Sequence, residues 1–118
     1  MEERRNARRC QINKDAGLTF DGGISPIPCV VEDISTCGMK VSLNRVLFHE
    51  AFSNFSLALT EDLEFNVGAH VAWHDNAYEK NIYGLSFNRI EKSVKSRINE
   101  YVKNNQSGEL SGQRLRGD

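Results

Sequence analysis

Apolar and polar residues alternate along most of the first ninety positions. Phe55, Leu57 and Leu59 form one such run, and Leu63, Phe65 and Val67 form the next. A period of two belongs to a strand with one face buried. The same pattern predicts strands over Cys29 to Ile34, Met39 to Leu43 and Ile82 to Phe87. A first strand begins at Cys10 and Ile12 and takes in Leu18 and Phe20, with an interruption at Asp15-Ala16-Gly17. Beyond a break or bulge at Gly68, the alternation puts Ala69, Val71 and Trp73 on one face and His70, Ala72 and His74 on the other.

Turn residues separate these runs. Asp21-Gly22-Gly23 and Thr60-Glu61-Asp62 read as turns, and Asp75 to Lys80 reads as a polar loop. Pro26 and Pro28 keep the approach to the second strand extended. The stretch from Asn44 to Asn54 leaves two readings open. Leu47, Phe48, Ala51 and Phe52 have helical spacing, yet the segment is short enough to be a loop carrying apolar plugs. Short strands with a turn every eight to twelve residues predict an antiparallel barrel or sandwich. One helix is predicted over 90–104, where Val94, Ile98, Tyr101 and Val102 make a single apolar stripe.

Composition narrows the class. A chain of 118 residues, 39% hydrophobic and 26% charged, suits one domain with a modest core. A net charge of −1 supplies no global attraction for nucleic acid. The charge is unevenly placed, because Arg4, Arg5, Arg8 and Arg9 crowd the start. Cys10, Cys29 and Cys37 are an odd set with no paired spacing, and the charged start lacks the apolar region of a signal peptide. No apolar run approaches the ~20 residues of a bilayer span. A cytoplasmic protein without membrane insertion is the expectation.

Two motifs carry the candidate chemistry. The first is Arg5-x-x-x-Arg9, or in the alternative register Arg4-x-x-x-Arg8. The second is Asp33-x-Ser35-x-x-Gly38, a strand end running into a polar corner. Alone, a basic start is most simply a solvated segment, and D-x-S-x-x-G is most simply a hairpin corner. Together, and followed by Trp73 and Tyr83-Gly84-Leu85-Ser86-Phe87, they resemble the PilZ domain family over residues 3 to 103. The resemblance implies a mainly all-β fold: a six-stranded antiparallel barrel with a C-terminal helix packed against it. It divides the chain into a flexible arginine-rich arm (1–9), the barrel with its helix (10–104) and a disordered tail (105–118).

The resemblance also implies a ligand, the bacterial second messenger cyclic di-GMP. Arginine suits it, since a guanidinium can bond bidentately to guanine O6 and N7, pair with phosphate and stack on a purine. Arg5 and Arg9 are the favoured pair because Cys10 and Ile12 then follow as a strand alternation, with Arg4 as a flanking contact. Asp33 can accept from guanine N1–H and N2–H₂, Ser35 adds a hydrogen bond, and Gly38 allows close approach. Trp73 has two readings, core packing or a place beside the ligand.

Other chemistries fit less well. In an extended strand His70 and His74 lie about 13 Å apart, too far to share one metal ion. No nucleophile–base set is visible, so catalysis and cofactors are not expected. A barrel binding single-stranded DNA or RNA needs a basic groove with aromatic platforms, whereas the strand faces here carry Glu61, Asp62, Glu64 and Asp75. The expected function is a cyclic di-GMP receptor that changes conformation and signals to a partner protein in motility, biofilm or exopolysaccharide control. The alternative is a protein-interaction adaptor of the same fold that does not bind the dinucleotide.

Overall fold

The computed structural model describes residues 10–21, 23 and 25–117, with side chains as far as 105. Six strands form the wall: β1 (Cys10–Phe20), β2 (Ile27–Ile34), β3 (Gly38–Leu43), β4 (Phe55–Thr60), β5 (Leu63–Ala77) and β6 (Lys80–Arg89). They close into a barrel in the order β1-β2-β3-β6-β5-β4, and every pair is antiparallel. Closure comes from β1 against β4, where Gly17 faces Ala58 and Phe20 faces Phe55. A closed barrel leaves no free sheet edge.

The alternation seen in the sequence is the inward set. Leu18, Val31, Ile34, Met39, Val41, Phe55, Leu57, Phe65, Val67 and Tyr83 are buried in one core. Each opening is sealed differently. Helix α1 (Lys92–Gly117) adds Val94, Ile98 and Val102 to the core, with Tyr101 packed beside them. It lies at the end where β1 begins and the β4–β5 turn sits, and Arg97 Nη2 donates to the Asp62 carbonyl at 3.2 Å. At the other end, a single 3-10 turn (His49–Ser53) pushes Phe52 among Phe20, Phe55 and Tyr83, with ring centroids 5.6, 5.7 and 5.2 Å away. Asn44 to Asn54 is therefore a loop with a plug, and Phe48, at 84% exposure, is not part of it.

Four boundaries differ from the sequence expectation. β1 is continuous through Asp15-Ala16-Gly17; its irregularity falls earlier, between Gln11 and Lys14, where Asn13 has φ 47°. The polar residues 75–80 are not a loop. Asp75, Asn76 and Ala77 continue β5, and only Tyr78-Glu79 turns, with Tyr78 at φ 60°. Their side chains are polar because this hairpin projects into solvent, not because the backbone leaves the sheet. Val71 and Trp73 do not share a face, for a reason given below. Finally, α1 starts at Lys92 and its backbone stays helical to Gly117, past the 104 limit set by its apolar stripe. No proline interrupts that extension.

Candidate ligand-binding site

The site is built on strand register. Gln11 of β1 faces Asp33 of β2, Asp33 faces Lys40 of β3, Lys40 faces Gly84 of β6, and Gly84 faces Trp73 of β5. The neighbours Ile34, Met39, Val41, Tyr83 and Leu85 are all buried and point inward. By strand alternation the five residues line the outer wall as one transverse row. At about 4.8 Å per strand, Asp33 and Trp73 are some 14 Å apart along the wall before curvature.

The polar corner lies beside this row. Ser35 is 1% exposed, and its Oγ accepts from the Cys37 N–H at 3.0 Å and the Gly38 N–H at 3.2 Å. Its own N–H donates to the Gly38 carbonyl at 2.8 Å. The Phe87 N–H donates to the Cys37 carbonyl at 2.8 Å, which staples the corner to β6. Ser35 thus rigidifies the turn through local amides. A side chain at Gly38 would collide with the Leu85 carbonyl oxygen, so the close approach that Gly38 permits is that of β6. Asp33, two residues before Ser35, is half-buried and outward-facing.

Trp73 reaches the row through a bulge. Val71 pairs with Leu85 and Trp73 with Gly84, so Ala72 is an extra residue with no partner across β6. An inserted residue reverses the facing of everything after it. Trp73 therefore points outward at 47% exposure, while His74 takes the opposite face and, though exposed, stacks on Tyr83 at 4.2 Å and 13°. A Cβ built on Gly84 would strike three consecutive atoms of the indole, Cδ1, Nε1 and Cε2. Near-equal approach to three consecutive ring atoms means that the ring lies face-down on Gly84. Its opposite face is turned to solvent. A pocket of about 160 Å³ lies alongside, bordered by Cys37, Lys40, Trp73, Gly84 and Ser86.

Arg4, Arg5 and Arg9 lie outside the described residues, as does Arg8. The first described residue, Cys10, is buried and faces Ile34, the residue between Asp33 and Ser35. The arginine segment therefore joins the barrel next to the polar corner. Lys40 was not singled out in the sequence. Its signal was available: it lies two residues past Gly38, at an outward place in an alternating strand. Its Nζ lies 3.4 Å from Glu32 Oε1.

Cys37, a free and exposed thiol, borders the pocket, whereas Cys29 and the His49–His74 pair lie off this row. Burial, and secondarily the Asp15 carboxylate, pushes the Cys29 thiol up to about 12, so it stays protonated. His74 Nε2 is 3.1 Å from Asn81 Oδ1, and His49 packs edge-on against His74 at 5.6 Å. Among the described residues no group of three or more His, Cys, Asp or Glu could hold a metal ion. No described helix is long and apolar enough to cross a membrane.

Solved structures share this architecture. Escherichia coli YcgR in complex with c-di-GMP aligns with a TM-score of 0.70 at 13% identity, covering 95% of this chain and 50% of that one. The separately solved PilZ domain of YcgR with c-di-GMP aligns at 0.69 and 14% identity, covering 98% of each. The Bacillus subtilis inhibitor of motility MotI/DgrA aligns at 0.67 and 20% identity, covering 89% of this chain and 52% of that one. The chain thus spans about half the length of full YcgR and of MotI. No curated protein sequence matches it. The PilZ domain profile matches residues 3–104, taking in the arginine segment, the polar corner, every strand and the buried stripe of α1, and the chain belongs to the PilZ domain family.

Proposed function

We propose that the chain is a cytoplasmic receptor for cyclic di-GMP that works by binding and not by catalysis. One observation carries this: the arginine segment enters the barrel at Cys10, opposite Ile34, at the head of an outward row running from Asp33 to an indole with one free face. Family membership and the ligand named with YcgR support the same choice.

Each residue type then has a task. Arg5 and Arg9, flanked by Arg4, pair with guanine edges and phosphates. Asp33 accepts from a guanine N1–H and N2–H₂. Ser35 and Gly38 hold the corner rigid, so that Asp33 is positioned before the ligand arrives and ordering cost on binding is low. Trp73, pinned on Gly84, stacks on the second base. Closure of the arm over this row alters the surface shown to a partner protein, which passes on the signal in motility, biofilm or exopolysaccharide control.

Calorimetric titration with cyclic di-GMP tests the proposal. Wild type binds, and Arg5→Ala combined with Arg9→Ala weakens binding by at least a hundredfold, since each charge-assisted contact contributes about 1.5–3 kcal/mol. Absence of heat from wild type at tens of micromolar ligand rejects it and favours the adaptor alternative.

A further inference from the structure

We infer that Lys40 is a phosphate contact for the bound dinucleotide and that Glu32 restrains it until the ligand arrives. The inference rests on the cyclic di-GMP reading and extends it to a residue outside both motifs. Lys40 sits midway along the outer row, with Asp33 on one side and Gly84 beneath Trp73 on the other. It borders the same pocket as Trp73 and Ser86. A ligand held by Asp33 at one end and stacked on Trp73 at the other must pass over it.

The chemistry suits a phosphodiester. A lysine ammonium is a compact point charge on a flexible stem, with three donors to offer. The Glu32 contact, at 3.4 Å with the two side chains 33% and 21% exposed, is long and partly solvated, so it is easily exchanged. Glu32 occupies a bulge between Val31 and Asp33, where two residues of β2 oppose one of β3. That insertion places a carboxylate beside Lys40 without displacing Asp33 from the row. A dianionic ligand then competes with Glu32 for the same ammonium.

This arrangement makes the two partners act with opposite sign, which a purely structural ion pair would not. The protein has one tryptophan, Trp73, and it borders the pocket, so its fluorescence reports binding directly. Titration of wild type, Lys40→Gln, Lys40→Arg and Glu32→Gln with cyclic di-GMP at several salt concentrations tests the inference. Lys40→Gln should weaken binding roughly three- to tenfold and flatten its salt dependence, and Lys40→Arg should stay within about twofold of wild type. Glu32→Gln should tighten binding by roughly twofold or more. Unchanged affinity and salt slope in Lys40→Gln, or parallel weakening in Lys40→Gln and Glu32→Gln, would overturn the inference while leaving the receptor reading intact. Failure of wild type to bind would overturn both.

Discussion

The two halves of β5 contrast within one strand. From Leu63 to Val67 every second residue is buried and the strand pairs with β4, as Phe65 does with Leu57, the one irregularity falling on the β4 side between Ala58 and Thr60. From Gly68 onward the strand pairs with β6, shifts register at Gly68/Ala69 and again at Val71/Trp73, and ends as a solvent-facing hairpin. The first half contributes core. The second turns Trp73 outward and His74 onto Tyr83 through a single extra residue. Regular alternation builds stability, and a break in alternation is what turns a large side chain outward.

The largest expected effect tests the first half. Phe65→Ala removes a side chain that is only 4% exposed and opens a cavity in the barrel wall. Loss of about 3–5 kcal/mol is expected in urea unfolding, a large fraction of what a domain of this size has. Ligand affinity of the molecules that remain folded should not change, because Phe65 faces away from the outer row. A shift in affinity matching the stability loss would erase the distinction between the two halves.

The second half should show the reverse. Trp73→Ala leaves the core untouched and removes the stacking face. Affinity for cyclic di-GMP should fall about tenfold, within the ~1–3 kcal/mol of a base–aromatic stack, while the unfolding midpoint moves little. Gly84→Ala is the finer probe, since the new methyl group would lift the indole from its seat without altering it. A smaller loss, about two- to fivefold, is expected as the stack is tilted instead of deleted. If Gly84→Ala binds as tightly as wild type, the flat seat has no part in recognition.

This contrast also marks how far the sequence could be read. The strands were visible because a barrel with one packed face enforces a period of two, and Phe55 through Val67 obey it. The D-x-S-x-x-G corner was visible because Ser35 and Gly38 are turn chemistry whose geometry is local. The bulge was hidden, because Ala69, Val71 and Trp73 continue the apolar alternation through it, and Ala72 is small enough to fit either face. The hairpin at Tyr78-Glu79 was hidden for the opposite reason: Asp75, Asn76 and Glu79 have loop composition, yet the backbone is paired to its tip. Seating of Trp73 on Gly84 depends on register between strands distant from the motif, which no local pattern encodes. The arginines were legible as a cluster; they lie outside the described residues, and what the structure adds is the position of Cys10, to which their segment is joined.

The smallest expected effect sharpens what outward means on this wall. One row toward the other opening, Ser42 faces Val30 and Ile82, and Ile82 faces Asp75 in the second half of β5. Ser42 is outward by alternation yet 1% exposed, and its Oγ has no hydrogen-bond partner. The row one step away carries the exposed Gln11 and Trp73 and the half-buried Asp33 and Lys40, so the two rows differ in burial although both lie on the outside. A hydroxyl buried without a partner costs its desolvation. Ser42→Ala should therefore raise stability by about 0.5–1 kcal/mol, seen as a higher urea midpoint with an unchanged slope, and leave cyclic di-GMP affinity unaltered. A destabilised Ser42→Ala would mean that the hydroxyl is engaged in solution, and this stretch of the outer wall would then be as polar as the row from Asp33 to Trp73.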